Sequence, residues 1–80
     1  MAVARRDTFG SQHRTIVAKL VEHRRAAGMT QVDLAQALGT DQSQVSKIER
    51  GERRLDVIDY LRICRAIGLD PAEPLRVVTF

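Results

Sequence analysis

Asp41-Gln42-Ser43-Gln44-Val45-Ser46-Lys47-Ile48-Glu49-Arg50-Gly51 is the stretch on which the fold turns. An aspartate before a helical run caps its free amides, and a glycine after it ends the run. Between these two signals the aliphatic residues are Val45 and Ile48, three apart and therefore on one face. A helix with so narrow an apolar stripe is anchored at two points and shows the rest of its surface. At about 100° per residue, Ser43 and Arg50 point almost directly away from the core, with Ser46 and Lys47 flanking them. Gln42 sits at the side near the helix N-terminus, while Gln44 and Glu49 lie at the edge of the buried face. The outward face is thus Gln, Ser, Ser, Lys and Arg, with no acid.

Working upstream, Thr30 caps an earlier helix, with Asp33 three residues on in a weak capping-box pattern. Leu34, Ala35 and Leu38 form its inner face, and Gly39 stops it. Gly39, Thr40 and Asp41 are all that separate the two helices. Two short helices joined by a glycine-containing three-residue turn predict a helix-turn-helix, with its core at 31–50. The type demands a small residue where the helices cross (Ala35) and a sharp turn that glycine permits (Gly39).

Further out the pattern remains helical. Residues 1–10 carry Arg5 and Arg6, show no apolar period and read as a mobile arm, either an unstructured leader or an arm that contacts DNA. Ser11 is read as the N-cap of a first helix bearing Ile16, Val17, Leu20, Val21 and Ala27 on one face, ended by Gly28. Arg24 projects into that apolar arc, where an unpaired charge is costly. Glu49, at the edge of the outward-facing helix, is the acid it requires, and an Arg24–Glu49 ion pair is expected to tie the two helices together. After a basic loop, Glu52 to Leu55, Asp56 caps a fourth helix from Val57 to Ile67, ended by Gly68. Its apolar residues cover more than half its circumference, more than one packing partner needs. Asp70-Pro71 opens a short fifth helix, followed by the apolar tail Val77 to Phe80. The expectation is an all-α chain: a compact five-helix domain over 11–80.

Bulk properties agree. Eighty residues make a single domain with no room for a separate catalytic one. The three aromatics, Phe9, Tyr60 and Phe80, leave the core to Leu, Ile, Val and Ala. A net charge of +3 is compatible with a polyanionic partner without identifying one. Cys64 stands alone, so no intramolecular disulfide forms; with no leader or membrane-length apolar run, the expected location is the cytoplasm, on the nucleoid. His13 and His23 lack a third ligand at metal spacing, Asp56 and Asp59 read as a cap and a surface charge, and no phosphate-cradling glycine loop occurs. The expectation is therefore no enzyme, no cofactor and no metal.

From about Leu20 to Leu75 the sequence resembles the lambda-repressor-like, or Xre-type, helix-turn-helix regulators. The resemblance rests on Thr30-Gln31, Leu34-Ala35, Leu38-Gly39, the run Gln42 to Gly51 and Ala66-Ile67-Gly68. It implies that Gln31 holds a DNA phosphate and braces the recognition helix. It also implies that Gln42, Ser43, Ser46 and Lys47 read bases, and that Arg50, Arg53 and Arg54 flank the backbone. In that family the Arg24 and Glu49 positions commonly pair. Leu55 departs from the pattern, and either packs on the core or belongs to a partner surface.

The function expected is sequence-specific binding of double-stranded DNA in transcriptional control, most often repression, with helix 42–50 in the major groove. A homodimer on a palindromic operator would place two such helices about 34 Å apart. The fourth helix and the 77–80 tail either form that dimer contact or pack on the domain's own core. The alternative is a protein-interaction module, such as an antitoxin or adaptor, built on the same fold around a protein partner.

Overall fold

In the computed structural model residues 8–79 are described. The expectations for Arg5, Arg6 and Phe80 lie outside them. The described residues form five helices and no strand: α1 (Ser11–Ala26), α2 (Gln31–Leu38), α3 (Gln42–Glu49), α4 (Val57–Ile67) and α5 (Ala72–Leu75).

Three of the helices begin on the acids and hydroxyls that the sequence marks. Thr30 Oγ1 accepts from the Asp33 amide at 3.0 Å and Asp33 Oδ2 accepts from the Thr30 amide at 2.9 Å, a complete capping box. Asp41 Oδ1 accepts from the Gln44 amide at 3.1 Å, and Asp56 Oδ1 from the Asp59 amide at 2.7 Å. The start of α1 differs from expectation. Ser11 is its first helical residue and Gly10, at φ 95°, precedes it without a side-chain cap. At the other end Ala27 lies beyond the helix and is exposed, because the chain has already begun to turn away at Gly28. For α5, Pro71 takes the N-cap position, while Asp70 Oδ1 still accepts from the Ala72 amide at 3.0 Å.

The turn between α2 and α3 depends on Gly39. Its φ of 72° lies in the left-handed region, which a side chain strains. That conformation lets the Thr40 amide reach back to the Ala35 carbonyl at 3.0 Å. Ala35 is buried there, so the two helices approach closely. From α4, Arg62 donates a short hydrogen bond to the Leu38 carbonyl, satisfying one of the open carbonyls at the end of α2.

Leu20, Leu34, Ala35, Val45, Ile63, Cys64 and Ile67 form the core, contributed by α1 to α4. Leu55 packs against it, which settles the alternatives left for that residue in favour of the core. Cys64 is fully buried, a small hydrophobe rather than a reactive thiol, and burial pushes its thiol pKa up. Tyr60 Oη donates to the Pro71 carbonyl, pinning α5 to α4; its pKa rises to about 12, chiefly through burial. The fourth helix is divided. Ile63, Cys64 and Ile67 are buried, whereas Val57, Ile58 and Leu61 remain 71%, 63% and 44% exposed.

Candidate nucleic-acid interface

The position of α3 is set from below by its anchors and from the side by a clamp. Val45 and Ile48 are both buried. Arg24 meets Glu49 in a two-pronged ion pair, Nε to Oε2 at 2.7 Å and Nη2 to Oε1 at 2.9 Å. Its remaining nitrogen Nη1 donates to the Met29 carbonyl at 2.7 Å, in the α1–α2 turn. The two side chains are only 7% and 12% exposed, so each charge relies on the other for the solvation it has lost.

The clamp continues into α2. Gln31 Nε2 donates to Glu49 Oε1 at 2.8 Å, and Gln31 Oε1 accepts from Gln42 Nε2 at 2.6 Å. One hydrogen-bonded chain, Arg24–Glu49–Gln31–Gln42, therefore runs from the body of α1 to the first residue of α3. Sequence periodicity reaches the Arg24–Glu49 step. The Gln31–Glu49 step escaped it, because its orientation depends on how α2 and α3 cross.

The outward residues of α3 lie where the helical wheel puts them, but most already hold intramolecular partners. Ser43 Oγ donates to Asp41 Oδ1 at 2.6 Å, one reason the Asp41 carboxyl stays below its ordinary range. Ser46 Oγ accepts from Arg50 Nη1 at 2.6 Å. Arg50 also grips Glu52 with Nε at 3.0 Å and Nη2 at 3.1 Å. Lys47 is exposed on the same face.

The loop arginines are likewise engaged. Arg53 Nη2 lies 3.3 Å from Asp59 Oδ2, so Asp59 is no free surface charge: it is half-buried and paired. The Arg54 guanidinium stacks 5.6 Å from the centre of the Phe9 ring. Phe9 in turn meets His13 edge-on at 5.0 Å, and His13 Nε2 accepts from the Leu55 amide at 3.0 Å. The segment entering α1 is therefore stitched to the loop leaving α3. Nothing in the local spacing signalled this cluster, since its members come from two parts of the chain, His13 and Leu55 being 42 residues apart.

The His13–Leu55 hydrogen bond needs a bare Nε2, and burial first, then the Arg54 charge, lowers the His13 pKa below its ordinary 6.5. Between the lowered value and 6.5 the unfolded chain holds more protons than the folded one, so folding stability rises with pH there. Urea midpoints are expected to be flat above pH 6.5 and to fall as the solution is acidified below it. In His13→Gln that acid-side decline should shrink; an unchanged decline would assign it to other groups.

Among the described residues no group of three or more His, Cys, Asp or Glu side chains could hold a metal, and no helix is long and apolar enough to cross a membrane. The model of the helix-turn-helix domain family matches residues 16–76. Among solved structures, the chain is similar to an XRE-family-like protein from Pseudomonas syringae pv. tomato. Identity is 48% over 82% of this chain and 80% of that one, with a TM-score of 0.78. It is also similar to the clp gene regulator ClgR from C. glutamicum, at 26% identity over 81% and 84%, TM-score 0.75. A third, the restriction-modification controller protein C.AhdI from Aeromonas hydrophila, has 32% identity over 78% and 94%, TM-score 0.70. Among curated proteins, none matches. With most of its length matched by the family model and a relative nearly half identical, the chain belongs to the Xre-type helix-turn-helix family of DNA-binding transcription regulators and is not an enzyme.

Proposed function

We propose that the protein reads a specific duplex site by laying α3 in the major groove, and that it acts as a repressor by occupying that site. The observation that carries the reading is the acid-free outward face of α3, held in one orientation by the Arg24–Glu49–Gln31–Gln42 chain. A base-reading helix must be rigid to discriminate, and two apolar anchors alone leave it free to roll. Lys47 is suited to guanine O6 and N7, Gln42 to adenine, and Ser43 and Ser46 to either base. Arg50, Arg53, Arg54 and Gln31 surround that face and would hold backbone phosphates, which supply affinity rather than discrimination.

Val57, Ile58 and Leu61 form an exposed apolar stripe on α4, away from α3. We assign it to a second copy of the chain, joined about a two-fold axis on a palindromic operator. The apolar tail 77–80, whose first residue Val77 is half exposed, is the other candidate for that contact. Two protein similarities fit control of a gene: one relative is a clp gene regulator, another a restriction-modification controller.

A fluorescence-anisotropy titration against random duplex at several salt concentrations tests the reading. Each phosphate neutralised contributes about 0.9 to the slope of log affinity on log salt, so a dimer using Arg50, Arg53 and Arg54 at both half-sites should give roughly 5. Sites selected from a random pool should be palindromic. Lys47→Ala should reduce discrimination at one base pair by about 1–3 kcal/mol while leaving most of the slope intact. A flat salt response with no selected sequence would instead mark the fold as a protein-interaction module.

A further inference from the structure

Arg50 is the residue of the interface most fully occupied without DNA. Its guanidinium spends two nitrogens on the Glu52 carboxylate, at 3.0 and 3.1 Å, and a third on Ser46 Oγ at 2.6 Å. A planar guanidinium grips a carboxylate and a phosphate in the same two-pronged way, so Glu52 fills the place that a DNA phosphate would take. The backbone builds this arrangement in. Past the end of α3, the Glu52 amide donates to the Lys47 carbonyl at 2.8 Å and the Gly51 amide to the Ile48 carbonyl at 3.0 Å. That reversal brings Glu52 back beside Arg50 at the rim of the outward face, at the opposite end of α3 from the capping carboxylate of Asp41.

We infer that Glu52 is an internal stand-in for a DNA phosphate, which holds Arg50 across Ser46 until a real phosphate displaces it. The inference rests on the DNA-binding reading and assigns it a restraint. An acid at this position gains nothing for affinity. It sets a threshold instead: a duplex must offer a phosphate to Arg50 in register with α3 before that arginine lets go. Withdrawal of Arg50 also returns the Ser46 hydroxyl to the base-reading face. Because both partners are about half exposed, the exchange is cheap and reversible.

The test is a double-mutant cycle in the full chain, read as affinity for a random duplex across salt concentrations. Glu52→Gln keeps the shape and removes the charge. It should tighten binding about two- to fivefold at low salt, the range that an exposed pair allows, and leave the melting temperature unchanged. In an Arg50→Ala background the same Glu52→Gln change should tighten binding by much less, because the carboxylate then has no arginine to withhold. A gain of equal size in both backgrounds would mean that Glu52 only repels DNA at a distance, and would overturn the inference; so would no gain in either. If the unaltered chain shows no salt-dependent binding, the DNA-binding reading itself fails, which is a separate result from these.

Discussion

Replacing Glu49 with alanine is expected to remove about 3–5 kcal/mol of folding stability, the usual cost of stranding one charge of a buried pair. The stranded charge is Arg24, which sits in the middle of the buried face of α1 and is 7% exposed at its side chain. The Met29 carbonyl, which also accepts from Arg24, is neutral and cannot replace a carboxylate. A domain of this size is stable by only about 5–15 kcal/mol, so the loss is a large share of the total. Each kilocalorie lowers the melting temperature of such a domain by about 4–8 °C, and a thermal melt followed by circular dichroism would register the change at once. A drop of under 1 kcal/mol would show that water reaches the pair, contrary to its burial.

The same position separates stability from function. Exchanging both partners for apolar residues of similar size, Arg24→Met with Glu49→Leu, should restore most of the stability, since two charges no longer need burial. It should not restore DNA discrimination. Gln31 donates to Glu49 while accepting from Gln42, so without Glu49 the chain that orients the start of α3 is cut. A stable double variant with relaxed base preference is the expected outcome. Full discrimination in that variant would show that Val45 and Ile48 orient the helix unaided.

Leu34→Ala is expected to cost a comparable amount, about 2.7–5 kcal/mol, through a different mechanism. Leu34 is almost completely buried in the cluster shared with Leu20, Val45, Ile63, Cys64 and Ile67. Truncating it forfeits the transfer energy of the lost methyl groups and leaves a void that neighbours on three other helices cannot all move to fill. Urea denaturation should show a lowered midpoint with an unchanged slope, because the surface exposed on unfolding is nearly the same. The two variants part company when duplex is added. Leu34→Ala should recover by mass action, since its folded fraction keeps an intact α3. Glu49→Ala should recover less, because its folded state also lacks the clamp.

The restraint on Arg50 and the clamp on Glu49 place two acids within three residues of each other in opposite roles. Glu49 is buried and holds the frame of the interface. Glu52 is exposed and occupies one of its contacts. Burial decides the difference: the same guanidinium–carboxylate geometry is costly to break inside and easily exchanged in water.

What the sequence by itself determined is the local architecture. The caps at Thr30, Asp41 and Asp56, the stop at Gly39, the two-point anchoring of α3 and its acid-free outward face are short-range properties. They follow from 3.6-residue periodicity and from the hydrogen-bonding needs of helix ends, which act within a few residues. The Arg24–Glu49 contact belongs here too, because a charge on an apolar face leaves few acids able to answer it. Tertiary structure decided the rest: the partners of Gln31, whose bracing role the resemblance implied without naming Glu49 or Gln42, the Arg53–Asp59 pair, and the Phe9–His13–Leu55–Arg54 cluster. These contacts join side chains that are separated in sequence, or aimed by helix crossings that no single helix specifies. Asp59 shows the reason plainly. Its place in the first turn of α4 is readable from spacing, but its half-burial against Arg53 exists only once α4 has packed on α2 and the loop from α3 has closed over it.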